Sequence, residues 1–357
     1  MRRVIGSIAL GLGVALLVIG LAARPVIYDR LATVPLDQNS ESISEGEGMT
    51  ALRAWSPDET TARYDRLTGV TLRSTRTVKG IPGAVPVDQQ DSNAFWQTGV
   101  LSEAVGIGDL TSSLEGVSFD RRTGEATNCC GDFKAVPADP ENPLGDMVNE
   151  PIEHEGLFFK FPFGVEKSTY KWWDGDLGAP VDISFVREEN VAGADTYVFE
   201  QTIPQTEVTT RDVPAAIFDT EATGNTPAKV MYGNTRTLWV EPATGVIIKG
   251  QEVLDRSFVS DLGTATTTKG TIGYTEETVR ENAENWGSKG RLLGFVGGAL
   301  MPVGIVVGLA MIAVGLLLLR TGSRPSPANR QRSGRRTGDG GVAAIFDPES
   351  EGRRART

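Results

Sequence analysis

Histidine is almost missing from this chain: His154 is the single example among 357 residues. That excludes a multi-histidine metal site and leaves a Ser-His-acid triad only one candidate base, with no Gly-x-Ser-x-Gly elbow to go with it. Glu153 and Glu155 flank it, which reads as a solvated loop. Cysteine is as scarce. Cys129 and Cys130 are the only two and they are adjacent, so no long-range disulfide within the chain is possible and no C-x-x-C redox pair exists. A bridge between neighbours joins Cα atoms ~3.8 Å apart, below the usual disulfide range. A strained vicinal disulfide, eased by Gly131, therefore stands beside two reduced buried thiols and an intermolecular bridge. There is no Walker loop. Gly46-Glu47-Gly48-Met49-Thr50-Ala51 follows a polar loop instead of a strand, which rules out a dinucleotide fingerprint. Asp174-Gly175-Asp176 opens like a calcium loop, but its twelfth position is Phe185, which cannot ligate calcium. These gaps argue against an enzyme, a metal site and a bound cofactor.

Charge is missing from two long runs. Leu292 to Leu319 contains no ionisable residue; as a helix it spans ~42 Å, more than a ~30 Å hydrocarbon core requires. Its Gly-rich start (Gly294, Gly297, Gly298) takes up the excess, and Arg320 and Arg324 follow at once, as at a cytoplasmic membrane face. Val4 to Ala23 is the second run, preceded by Arg2 and Arg3. Gly20-Leu21-Ala22 has the small-x-small form of a cleavage site, but secretory apolar regions run to only ~7–15 residues, which favours an uncleaved anchor. The expected layout is an N-terminal transmembrane anchor (1–23), an extracytoplasmic β-rich domain (24–291), a C-terminal transmembrane helix (292–319) and a disordered basic cytoplasmic tail (320–357). Both termini are then cytoplasmic at the plasma membrane.

Basic charge is short as well, 35 Lys and Arg against 46 acids. Nine arginines and four acids lie from Arg320 onward and two arginines precede Val4, so the net charge of −11 leaves −18 on residues 24–291. So acidic a domain is a poor partner for nucleic acid. Within it, helical periodicity is rare. Thr, Val and aromatics alternate in Thr68–Val78, Asp182–Val186, Thr196–Thr202 and Thr237–Val240, which predicts strands. Asn39 to Met49, rich in Ser, Glu and Gly, reads as a loop, and Val136 to Glu155 as an irregular crossing. Glu276 to Arg291 predicts a short helix leading to the membrane. The fold class is a mainly β ectodomain, a large antiparallel and barrel-like sheet held between two transmembrane α-helices.

A turn-like pattern occurs three times: Tyr64-Asp65-Arg66-Leu67-Thr68-Gly69, Phe119-Asp120-Arg121-Arg122-Thr123-Gly124 and Val240-Glu241-Pro242-Ala243-Thr244-Gly245. Acid and Thr bond the local backbone and Gly takes a positive φ, so each predicts a hairpin turn. The densest aromatic segment is Leu157-Phe158-Phe159-Lys160-Phe161-Pro162-Phe163, followed by Tyr170, Trp172 and Trp173. Phe159, Phe161 and Phe163 share a face if the chain is extended. Two readings stay open: a core strand, or the wall of an apolar ligand cavity built from Phe158, Phe159, Phe161, Phe163, Tyr170, Trp172 and Trp173. Gly304-x-x-x-Gly308, with Gly294-x-x-x-Gly298 above it, suits close packing on another helix. The expected partner is the first anchor, with its Gly6, Gly11 and Gly13; homo-oligomerisation is the rival.

These residues together resemble the actinobacterial PorA-like family of two-span envelope proteins, labelled porin in places. The resemblance rests on Val34-Pro35-Leu36-Asp37 after the first anchor, on Gly156 to Phe163, on Tyr170 with Trp173-Asp174, on Trp239 to Gly245, and on the closing anchor. It covers the chain up to Arg320 and transfers no catalytic residue. The two-anchor layout is similar to that of the scavenger-receptor CD36 group, whose ectodomain holds a lipid tunnel; this likeness is one of architecture. Three functions are compatible. The leading one is a non-enzymatic protein that binds or passes an envelope lipid or lipoglycan. The others are a porin-like channel component, or an accessory subunit of an envelope glycosyltransferase or transporter.

Overall fold

A computed structural model describes residues 1–56, 63–138 and 146–321; the expected disordered tail lies outside them. Two helices frame the chain. α1 runs Arg2–Leu31 and α2 runs Glu276–Thr321, and both are long and apolar enough to cross a membrane. Each contains a π-helical stretch, Ala23–Tyr28 in α1 and Phe295–Ala299 in α2. Thr275 caps α2, its hydroxyl accepting from the Thr278 amide at 3.2 Å, and Glu276 and Glu277 suit the positive end of the dipole.

Between the helices the described residues form one antiparallel sheet of twelve strands. They are β1 (Asn39–Trp55), β2 (Arg63–Gly80), β3 (Asn93–Ala104), β4 (Gly108–Asp120), β5 (Phe133–Pro137) and β6 (Met147–Pro151). β7 (Thr169–Asp174), β8 (Ala179–Val191), β9 (Ala194–Pro214), β10 (Asn225–Val240), β11 (Ile247–Ser260) and β12 (Gly263–Tyr274) complete it. The order is β6-β5-β4-β3-β2-β1-β12-β11-β10-β9-β8-β7, two meanders joined where the first strand pairs the last. The mainly β class is as expected from the sequence. The sheet is open, with β6 and β7 as its edges, although bridges at Leu157 tie Glu125 and Trp172 together near one end.

Three local expectations fail. Asn39 to Met49 is no loop; it is most of β1, paired with β2 on one side and β12 on the other. Ladder hydrogen bonds on both sides override a polar composition whose intrinsic strand preference is weak. Gly69 ends no strand either. It has φ +69° inside β2, where Met49 pairs Val70 and Thr50 pairs Thr68, so it forms a bulge, the other backbone feature that calls for a glycine at positive φ. Val136 to Glu155 takes in the end of β5 and all of β6, which pair antiparallel at the sheet edge; residues 139–145 lie outside the described residues.

The helices meet through glycines. A Cβ at Gly13 would lie 2.8 Å from the Gly308 carbonyl oxygen, one at Gly304 2.7 Å from the Gly20 Cα, and one at Gly315 2.8 Å from the Gly6 carbonyl oxygen. Backbone therefore rests on backbone, with dispersion contacts supplying the attraction. Gly11 and Gly298 face open space, and the nearest neighbour of Gly294 is Ala243. The contact thus runs through Gly6, Gly13 and Gly20 on α1.

Candidate functional site

The aromatic segment is not an extended strand. From Phe161 to Val165 it is laid across two of the turns that the sequence pattern singles out. Phe161 N–H donates to Gly245 O at 2.9 Å, Gly164 N–H to Ala243 O at 3.0 Å and Val165 N–H to Pro242 O at 2.7 Å, while Phe163 N–H donates to Arg122 O at 3.1 Å. Each turn is built by its own acid. Glu241 accepts from the amides of Ala243 (3.1 Å) and Thr244 (2.7 Å), and Asp120 from those of Arg122 (2.9 Å) and Thr123 (2.7 Å). Gly245 has φ +72°, and a Cβ there would collide with the carbonyl oxygens of Phe161 and Pro162; at Gly124, φ +77°, it would lie 2.9 Å from Lys160 O. The Thr-Gly turns are hairpin corners that also cradle this segment.

Laid in this way, the aromatics separate. Phe161 is fully buried and packs on Phe199 (4.5 Å between ring centres), Trp172 (5.3 Å) and Tyr170 (5.3 Å) in the main core. Phe158 lies against His154 at 5.4 Å, and Trp173 against the same imidazole at 4.9 Å. Phe159 and Phe163 turn the other way and line a cavity of about 400 Å³ between the sheet and the helices. Trp96 completes an aromatic wall 5.3 Å from Phe159 and is fixed by its indole N–H, which donates to Pro35 O at 3.1 Å. Val78, Val246, Ile247 and the buried Leu293 add apolar surface, Trp286 and Asn282 of α2 form a side, and Leu31, the last residue of α1, and Leu292 of α2 make the exposed rim.

Among the described residues, four ionisable side chains besides Tyr274 line this cavity: Arg76, Lys160, Lys289 and the acid Glu41. An excess of positive charge in a domain of strongly negative sequence is a local feature that composition hides. Lys160 is 4% exposed, and burial pushes its amine down to about 7 against the pull of Asp120. Its Nζ lies 3.9 Å from the centre of the Phe163 ring and has no hydrogen-bond partner among the described residues. Burial likewise lowers Arg76, whose Nε donates to Thr98 Oγ1 at 3.0 Å and whose guanidinium stands 5.7 Å from the centre of Phe159. None of these cations is marked by a sequence motif. The available signal was Lys160 itself, one cation set among four phenylalanines with no acid in the segment.

His154 corrects the reading of a solvated loop residue: its side chain is completely buried. Nδ1 is 3.0 Å from Asp132 Oδ2 and Nε2 is 3.7 Å from Glu115 Oε2. Burial disfavours the charged ring, but hydrogen bonds and charge from Asp132 and Glu115 outweigh it and hold the imidazole above its ordinary range. Ser118 O–H donates to Asp132 and not to the imidazole, so the three do not form a nucleophile with its base. Cys129 and Cys130 form a disulfide beside this group, and Cys129 N–H donates to Ser118 Oγ at 2.9 Å. Asp174 joins a different network, accepting from Tyr232 O–H at 2.9 Å and pairing with Arg236 at 3.2 Å.

Comparison with known proteins gives a consistent result. A family model described as Porin PorA matches residues 5–317. A Porin PorA of Corynebacterium amycolatum is 24% identical over 385 aligned residues, covering 88% of this chain and 98% of that protein. A Porin PorA of Corynebacterium resistens is 25% identical over 199 residues, 43% of this chain and 48% of its own length.

Proposed function

The chain belongs to the Porin PorA family, and from that premise we propose that it is a non-enzymatic envelope membrane protein serving as a component of a porin-type channel. The observation that carries this reading is the extent of the family match, which takes in both apolar helices and the whole sheet. In this reading α1 and α2 span the plasma membrane, both termini are cytoplasmic, and residues 24–291 form the extracytoplasmic domain. The glycine contact between α1 and α2 leaves no passage inside the pair, so a path formed by helices requires several copies around a common axis. Reconstitution into planar bilayers should give stepwise conductance that disappears in Gly304→Leu/Gly308→Leu, where leucine side chains force the helices apart. Silent bilayers at verified protein incorporation would overturn the reading.

A second reading is favoured by the cavity: the extracytoplasmic domain binds or passes an envelope lipid or lipoglycan. Its aromatic and aliphatic walls meet Leu31 at the end of α1 and Leu292 where the apolar run of α2 starts, where an acyl chain can enter from the membrane side. Purification in mild detergent, extraction and mass spectrometry should return a reproducible co-purifying lipid. A lipid-free protein after purification in several mild detergents would remove this reading and leave the channel reading standing.

A further inference from the structure

A protonated lysine buried in an apolar wall is strongly disfavoured unless an opposite charge or a set of acceptors meets it. Lys160 has neither. Its amine is buried without a hydrogen-bond partner among the described residues, and the Phe163 face offers only the modest attraction of a cation above a ring. Loss of its proton does not cure the problem, since a neutral amine still carries two unpaired donors. Asp120, the acid that pulls on it, is committed to the amides of Arg122 and Thr123. Buried polar groups in native structures are nearly always hydrogen-bonded, so this amine calls for an acceptor from outside the chain.

The surroundings define that acceptor. Arg76 and Lys289 line the same cavity against one acid, Glu41, so the missing group is negative. The remaining wall, Phe159, Phe163, Trp96 and Leu293 among it, is apolar and leads to the rim at Leu31 and Leu292, both more than half exposed. A small free anion would satisfy the lysine and leave this wall empty. A neutral hydrocarbon would fill the wall and leave the lysine bare.

We propose that the cavity holds an anionic amphiphile, an alkyl chain ending in a carboxylate or phosphate, with the acid group against Lys160 and the chain running between Phe159 and Phe163 toward the membrane rim. The assignment rests on the lipid-binding reading and names its ligand class. Arg76, fixed by Thr98, stands on the adjoining wall as a second cation for the head group. Because burial lowers the Lys160 amine to about 7, binding of an anion beside it above that pH is coupled to uptake of a proton, and preference for the acid weakens as pH rises from 7 toward 10.

The test uses the full chain in a nonionic detergent, with Trp96 and Trp286 as reporters on the cavity wall. The probes are brominated hexadecanoic acid and brominated hexadecanol, which quench nearby indoles, with hexadecyl phosphate and inorganic phosphate as competitors. At pH 7 the acid should bind about tenfold or more tightly than the alcohol, the worth of one charge-assisted hydrogen bond. Lys160→Met should reduce that preference to about threefold or less while the alcohol still binds, and Lys160→Arg should restore it. Displacement by hexadecyl phosphate at the same concentration as by the acid assigns recognition to the shared negative charge; displacement by inorganic phosphate alone overturns the amphiphile. Equal binding of acid and alcohol in the wild type sinks the charge assignment and spares the lipid reading. Absence of quenching by either probe sinks both.

Discussion

His154 shows how one residue can draw two distant pieces of chain into a charged knot. Asp132 and Glu115 bracket its ring, and Lys134 lies 3.7 Å from Glu115 on the far side. With its folded pKa raised, the linkage has a fixed sign. The stabilisation is fully present below the ordinary histidine value of ~6.5 and is lost as pH climbs through the folded value. His154→Gln keeps a donor for Asp132 and removes the charge. It is expected to cost about 1–3 kcal/mol at pH 5.5, seen as a lower melting midpoint by tryptophan fluorescence, and the gap to wild type should narrow at pH 9. A gap that stays constant or widens with pH would show that the imidazole is neutral in the fold. The flanking acids suggested solvent exposure because sequence neighbours say nothing of which carboxylates arrive from β4 and from the segment before β5.

At the scale of elements, the Thr-Gly turn that ends at Gly245 and the β7–β8 turn that ends at Gly178 test what a glycine is for. Gly178 and Gly245 both have positive φ, +63° and +72°, yet a Cβ at Gly178 meets nothing within 4 Å, whereas one at Gly245 strikes the strapped segment. Gly178→Ala should cost roughly 1–2 kcal/mol, the backbone term alone. Gly245→Ala adds a steric displacement of Phe161 and Pro162, so its loss of melting temperature should be clearly the larger. Equal losses would mean that the segment does not lie on the turn. A Cβ at Gly290 would likewise collide with the Glu241 carboxylate, so the same turn receives α2 from its other side. Hairpin chemistry was legible at Asp120 to Gly124 and Glu241 to Gly245 because the acid, the Thr and the Gly act locally. What the turns support was not, since it sits some eighty residues from one of them. The pattern at Gly69 had the same residues and became a bulge, because β1 continues to pair across it.

For the whole molecule, the arrangement turns on solvation. A charge at the centre of a span costs about 2.5–3.5 kcal/mol on the insertion scale, and neither apolar run contains one. With Arg2 and Arg3 opening α1 and Arg320 closing α2, thiol labelling of intact cells should modify a cysteine introduced at Asn93. One at Ser333 should stay unmodified until the membrane is opened, in a background with the native cysteines replaced. Labelling of the Ser333 thiol in sealed cells would reverse the orientation. A mature N-terminus at Ala23 would leave α2 without the glycine face it packs against.

Length, hydropathy and arginine placement sufficed for the two long apolar helices, because lipid solvation acts on each residue wherever the rest of the chain goes. The strand class was legible for a similar reason: alternation of Thr, Val and aromatics is a local property of the chain. Three features were decided only by tertiary structure. One is the polar β1 as an inner strand of the sheet, held by ladders on both sides. Another is the parting of Phe161 into the core from Phe159 and Phe163 at the cavity. The last is the gathering of Arg76, Lys160 and Lys289 from a strand, an irregular segment and a helix. Burial and electrostatic company depend on which distant segments pack together, and that is settled by long-range pairing, not by any window of sequence.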